Sequence, residues 1–171
     1  MNRLLAYFAK MTGGDTVPVL PPVSSVMLAG VGATIAIAAV VVLTNLTGSQ
    51  FLMAPFGATC FLAFAVPDSP LAQPRNIVFG HLISTTVGLL VLNVLGAGGM
   101  PMAVAVGLSV VMMQLTRTGH PPAGADPLVV IATAPMWDFL IFPVLVGACA
   151  IALVAVIFNN LRNDVRYPRY W

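Results

Sequence analysis

The chain has 171 residues, 59% of them hydrophobic and 7% charged, and its mean hydropathy is +0.99. No single water-soluble core hides that apolar excess, so soluble classes are excluded and the chain belongs in lipid. A formal charge of +2, with no Glu and a single Lys at Lys10, reflects arginines in loops and at the ends and carries no signal for nucleic acid.

In chain order, residues 1–22 come first. Arg3 and Lys10 bracket an amphipathic piece carrying Leu4, Leu5, Tyr7 and Phe8, and no long apolar run precedes Gly13-Gly14-Asp15. This predicts an interfacial cytoplasmic segment rather than a cleaved signal peptide. Spans without a charged residue follow at 24–46, 77–95, 100–115 and 139–158, each near the roughly 20 helical residues that cross a hydrocarbon layer. Between them lie two shorter apolar stretches, 51–66 and 121–135, each opened by proline with glycine two positions on. They are too short for full spans and too apolar for surface loops, which assigns them to the middle of the bundle, where protein or water satisfies their backbone. Residues 161–171 form a polar C-terminal tail.

The two short stretches are related. Pro55-Phe56-Gly57-Ala58 recurs 67 residues later as Pro122-Ala123-Gly124-Ala125, and Gly80 falls on Gly147 at the same offset. The predicted fold is therefore an all-α polytopic membrane protein of two repeats, 23–98 and 99–160, each a helix, an interrupted half-helix and a helix. If the interrupted segments cross, the repeats are inverted (3+3). Arg3, Lys10, Arg75, Arg117, Arg162, Arg166 and Arg169 then all fall on the cytoplasmic side, with both termini, while 47–50, 96–99 and 136–138 lie outside without Lys or Arg. If those segments are hairpins, Arg75 and Arg117 land outside, so the inverted arrangement is preferred.

In the inverted arrangement Pro55 and Pro121-Pro122 start helices that face each other. Helix N-termini carry unpaired N–H groups and partial positive charge, and Gly57 and Gly124 would let a small anion approach the backbone. Interrupted helices at matching positions of two repeats point to a transport site between them. Arg75 and Arg117 flank the interrupted segments, either as simple anchors or as an inner vestibule whose guanidinium groups match a planar two-oxygen anion. His120 either caps a loop carbonyl or lines the ion path; His81, inside a span, is an ionisable group in lipid. Asp126 either complements a helix dipole or pairs with Arg117, His120 or Arg75, and Thr59 holds the equivalent position in the first repeat. Gly30, Gly32, Gly80, Gly88 and Gly147 read as close helix contacts. Cys60 and Cys149 give no disulfide frame, and no residue spacing matches a metal site, a cofactor site or catalytic machinery, so the chain reads as a non-enzyme.

The string Thr116-Arg117-Thr118-Gly119-His120-Pro121-Pro122-Ala123-Gly124-Ala125-Asp126-Pro127 resembles the signature of the HPP family of integral membrane proteins, and Pro55 to Cys60 with Gln73-Pro74-Arg75-Asn76 and Gly80-His81 resembles its other motif block. Proteins resembling this family in plant plastids and cyanobacteria are associated with nitrite transport, so the resemblance implies a nitrite or small-anion transporter. The short chain, without a transit segment or appended regulatory domain, suggests a bacterial inner membrane. The alternatives are a proton-coupled weak-acid carrier, with His81 and His120 as relay groups, and a non-transporting accessory subunit. The glycine-rich faces predict a homo-oligomer, a dimer ahead of a trimer.

Overall fold

A computed structural model describes residues 3–163 and 165–171; residues 1, 2 and 164, which fall in the two predicted terminal segments, lie outside the described residues. Those described are all helical or irregular, with no strand. Seven α-helices follow one another: α1 (Arg3–Ala9), α2 (Val23–Thr47), α3 (Ala54–Ala65), α4 (Pro74–Leu95), α5 (Gly99–Leu115), α6 (Asp126–Thr133) and α7 (Val146–Asn160). Three stretches are long and apolar enough to cross a membrane: α2, α4, and 137–160, in which a 3₁₀ turn and a π turn lead into α7. The fourth predicted span is α5, shorter at 17 residues.

Both predicted interruptions are present and differ in build. Met53 is extended at the entry to α3, whose 12 residues carry Pro55 in the first turn. The second segment opens as a 3₁₀ turn, Pro121–Ala125, and becomes α-helical only at Asp126; Pro127 has no N–H with which an α-helical ladder could run on from the Ala123 carbonyl. At about 1.5 Å per residue, α3 and α6 are roughly 18 and 12 Å long, well short of a bilayer core.

Glycines set the packing. A Cβ on Gly80 would lie 2.7 Å from the Cβ of His120, and one on Gly88 would lie 3.0 Å from the Cα of Pro127, so α4 runs alongside the second interrupted segment in the same direction. A Cβ on Gly147 would lie 2.4 Å from the Phe56 ring, and Asn159 Nδ2 donates to the Ala63 carbonyl at 2.9 Å, so α7 runs parallel to α3. Each interrupted segment thus packs on the last helix of the other half. Gly32 of α2 abuts Phe64 and Phe158, which places the start of α2 beside the ends of α3 and α7. Gly30 has open space instead of the predicted contact. The main apolar core joins Ala36, Val40, Phe56, Phe64, Ile77, Ala148 and Ile151.

One end of the bundle collects the polar chain. Residues 66–73, the start of α4, the end of α5 and the C-terminal tail meet there. The Tyr167 hydroxyl donates to the Ala72 carbonyl at 2.6 Å, and the Arg169 N–H donates to Gln73 Oε1 at 2.7 Å. Tyr170 donates to the Pro70 carbonyl at 2.7 Å, and Asn160 brackets Tyr167 from the end of α7. Burial pushes the Tyr167 phenol up from its ordinary value, so it remains a donor.

Candidate functional site

Four polar side chains from three segments, Thr59 of α3, His81 of α4, and His120 and Asp126 at the two ends of the Pro121–Ala125 turn, form one buried chain of hydrogen bonds. Asp126 Oδ2 lies 2.7 Å from His81 Nδ1; His81 Nε2 lies 2.9 Å from Thr59 Oγ1; Thr59 Oγ1 lies 3.0 Å from His120 Nε2; His120 Nδ1 lies 2.8 Å from the Leu71 carbonyl. All four residues are 0–1% exposed. Thr85 donates to Asp126 Oδ2 at 3.3 Å, while Asp126 Oδ1 is buried without a hydrogen-bond partner. His81 is the eighth residue of α4, so the chain lies about 10 Å in from the start of a helix roughly 33 Å long.

Local sequence explains how these groups converge. Along one face of α4, Asn76 donates to the Gly119 carbonyl, His81 meets Asp126, and Ser84 donates to the Ala123 carbonyl. Positions 76, 80, 84 and 88 recur every fourth residue, so one row on α4 alternates polar side chains, Asn76 and Ser84, with the glycines Gly80 and Gly88. The glycines allow the approach, and the polar groups tie α4 to backbone carbonyls of the facing segment, Ser84 adding a second donor to the Ala123 carbonyl that already accepts the Asp126 N–H, a use of polar side chains suited to a bilayer. Thr59 is four residues beyond Pro55 and one turn into α3. The Phe56 ring meets the His81 ring edge-on with centroids 5.2 Å apart, closing the apolar side of the cluster.

The predicted site residues separate into three groups. His81, His120, Thr59 and Asp126 come together as described. Asp126 pairs with His81 rather than with any of the partners anticipated for it, Arg117, His120 or Arg75. Pro55, Pro121 and Pro122 line one apolar groove of about 690 Å³ with Ala58, Leu62 and Ala125, so the two segment starts are neighbours. Their backbone is a poor anion cradle: Pro55, Pro121 and Pro122 have no N–H, and those of Phe56 and Ala123 are taken by the Met53 and His120 carbonyls. A Cβ on Gly57 or Gly124 would meet nothing within 4 Å, so neither glycine is required by a close neighbour. Arg75 donates to the Arg117 carbonyl at 2.6 Å and to the Thr116 carbonyl at 3.3 Å, which closes the C-terminal end of α5. Arg117 adopts a left-handed backbone (φ 55) and is exposed. The structure thus sets the Arg75 guanidinium against the backbone of Arg117 at the end of α5.

His120 also borders a second groove, of about 450 Å³, with Leu71, Gln114, Gly119, Pro121 and Gly124. It is the member of the buried chain that adjoins an opening. Among the described residues no group of three His, Cys, Asp or Glu has the geometry to hold a metal, since both histidine Nε2 atoms are directed at Thr59. The cysteines are free, Cys60 buried and Cys149 exposed.

Residues 18–168, which include this chain of groups and both interrupted segments, match the family description HPP, transmembrane region. The chain belongs to the HPP transmembrane family. Two transmembrane proteins of Dictyostelium discoideum are similar to this HPP member: one is 34% identical over 98% of this chain and 58% of its own length, the other 38% identical over 71% and 46%. The chain thus spans about half the length of these curated relatives. No solved structure matches it.

Proposed function

We propose that this HPP protein carries a small weak-acid anion across a bacterial inner membrane, with nitrite as the first candidate. The observation that carries this reading is the buried Asp126–His81–Thr59–His120 chain between two half-helices, because ionisable groups at such depth are costly enough in lipid to mark a pathway. The exchanged packing, with α3 on α7 and the second segment on α4, supports two units of opposite direction and a site at their interface. The family association with nitrite supplies the choice of anion. Arg75, Arg117 and Arg169 gathered at one end support a cytoplasmic placement of that end.

Nitrite uptake into proteoliposomes tests the proposal, with nitrate, formate and chloride as competitors. Saturable uptake by wild type, lost in His120→Ala and retained in Gly57→Ala, is the expected result. Uptake no faster than in empty liposomes contradicts it and favours an accessory role.

A further inference from the structure

Proton positions in the buried chain are fixed by its ends. The Leu71 carbonyl only accepts, so His120 Nδ1 carries a hydrogen and donates to it. Nε2 of a neutral His120 is then an acceptor and needs the Thr59 hydroxyl. That hydroxyl has a single hydrogen, for which the Pro55 carbonyl, at 3.2 Å and one turn back in α3, is a further and more distant acceptor. If Asp126 were ionised and His81 neutral, His81 would donate through Nδ1 to the carboxylate and its Nε2 would also require the Thr59 hydrogen. One buried imidazole nitrogen would be left unpaired beside an uncompensated carboxylate, and either deficit costs about 1–3 kcal/mol or more.

One further proton removes both deficits. With it, His81 donates from Nε2 to Thr59 and Thr59 donates to His120 Nε2. His120 then donates to Leu71, while the proton between Asp126 and His81 Nδ1 lies on either atom. Every link then has one donor and one acceptor, and the buried cluster has no net charge. The surroundings supply no other counter-charge. The 3₁₀ turn at Pro121–Ala125, the 3₁₀ turn at Pro70–Ala72 and α5 hold no titratable side chain. α3 contributes only Cys60, α6 only Asp126 itself, and α7 only the exposed Cys149. Arg75 on α4 is engaged by the carbonyls at the end of α5.

We infer that Asp126, His81, Thr59 and His120 form a single-proton site, with Thr59 as the positioning residue that makes its occupancy all or none, and that this proton travels with the anion. The second half rests on the transport reading above. In that step an N–H or O–H bond of the chain breaks, an O–H bond forms on a nitrite oxygen to give nitrous acid, and the chain keeps one negative charge. The nitrous acid leaves toward the far side and gives its proton to water there, and a proton from water on the near side restores the chain, so one proton crosses with each nitrite and no net charge moves. This removes the need for the backbone anion cradle that the prolines deny.

The chain has two histidines, so ¹⁵N-histidine labelling of the full chain in lipid nanodiscs reports both rings directly. At neutral pH the expected pattern is His120 protonated at Nδ1 only and His81 bearing a proton on Nε2. Both rings protonated only at Nδ1 would overturn the inference. Thr59→Val removes the shared hydroxyl and should shift His81 to the Nδ1-only form, lowering pH-driven nitrite uptake by roughly tenfold or more, whereas Thr59→Ser should restore both. If Thr59→Val fails to fold, the wild-type ring pattern and the Thr59→Ser variant decide the matter. Nitrite flux with both rings in the Nδ1-only form sinks the proton site and leaves transport standing. The expected ring pattern without flux of any anion supports the proton site and sinks the transport reading.

Discussion

His120 is held from three sides: Leu71 accepts from Nδ1, Thr59 faces Nε2, and Gly80 lies under its Cβ. The last contact admits no methyl group. Gly80→Ala must displace the backbone start of the 3₁₀ turn or the ring itself, an overpacking cost of about 1–3 kcal/mol, and should lower the thermal midpoint while disturbing the His120 ring resonances. Gly57→Ala, in open space on a helix, should leave stability unchanged or slightly raise it; equal losses in both variants would contradict this assignment of the glycines. The four residues of the buried chain were each visible in the sequence as polar groups in apolar surroundings, and the 67-residue offset paired Thr59 with Asp126. Their partners were not visible. An imidazole from α4 stands between the two equivalent positions, and its place there depends on how closely Gly80 and Gly88 let two elements approach, which no spacing within one element encodes.

Among the elements, the two half-helices were legible from prolines, glycines and length, but their chemistry was misread in one respect. Proline marks a helix start because it lacks an N–H, and the same absence removes donors that an anion would use. Side chains carry the polarity here instead. The docking of the tail was not legible: residues 161–171 read only as a polar C-terminal tail, yet Tyr167 is buried against the connector that supplies the Leu71 carbonyl. Apart from Asn160, its partners are backbone and side-chain groups of the connector nearly 100 residues away, beyond any local pattern. Tyr167→Phe should cost about 1 kcal/mol through the lost bond to Ala72, read as a lower thermal midpoint and faster proteolysis after Ala65. The Arg169–Asp68 pair is half-exposed, so Asp68→Asn should change stability by no more than about 1 kcal/mol. A larger loss in Asp68→Asn than in Tyr167→Phe would reverse the ranking of burial over charge.

Across the whole molecule, successive spans reverse direction, and basic residues Arg75, Arg117 and Arg169 gather with the tail at one end while the links after α2 and α4 carry none. This predicts that, in a cysteine-free background, Ser49→Cys is labelled from outside intact cells by an impermeant maleimide and Asn163→Cys only after lysis; labelling in the opposite sense would invert the orientation. Fold class and membrane character were legible because composition alone dictates them. The pairing of each half-helix with the last helix of the other half was not, since glycine-mediated contacts of that kind form between distant segments. The measurement closest to the central claim is nitrite uptake into proteoliposomes driven by an inward proton gradient with the voltage held at zero. Saturable uptake with matched proton entry, abolished by His120→Ala, is the predicted result, and wild-type uptake indistinguishable from that of empty liposomes would contradict the account.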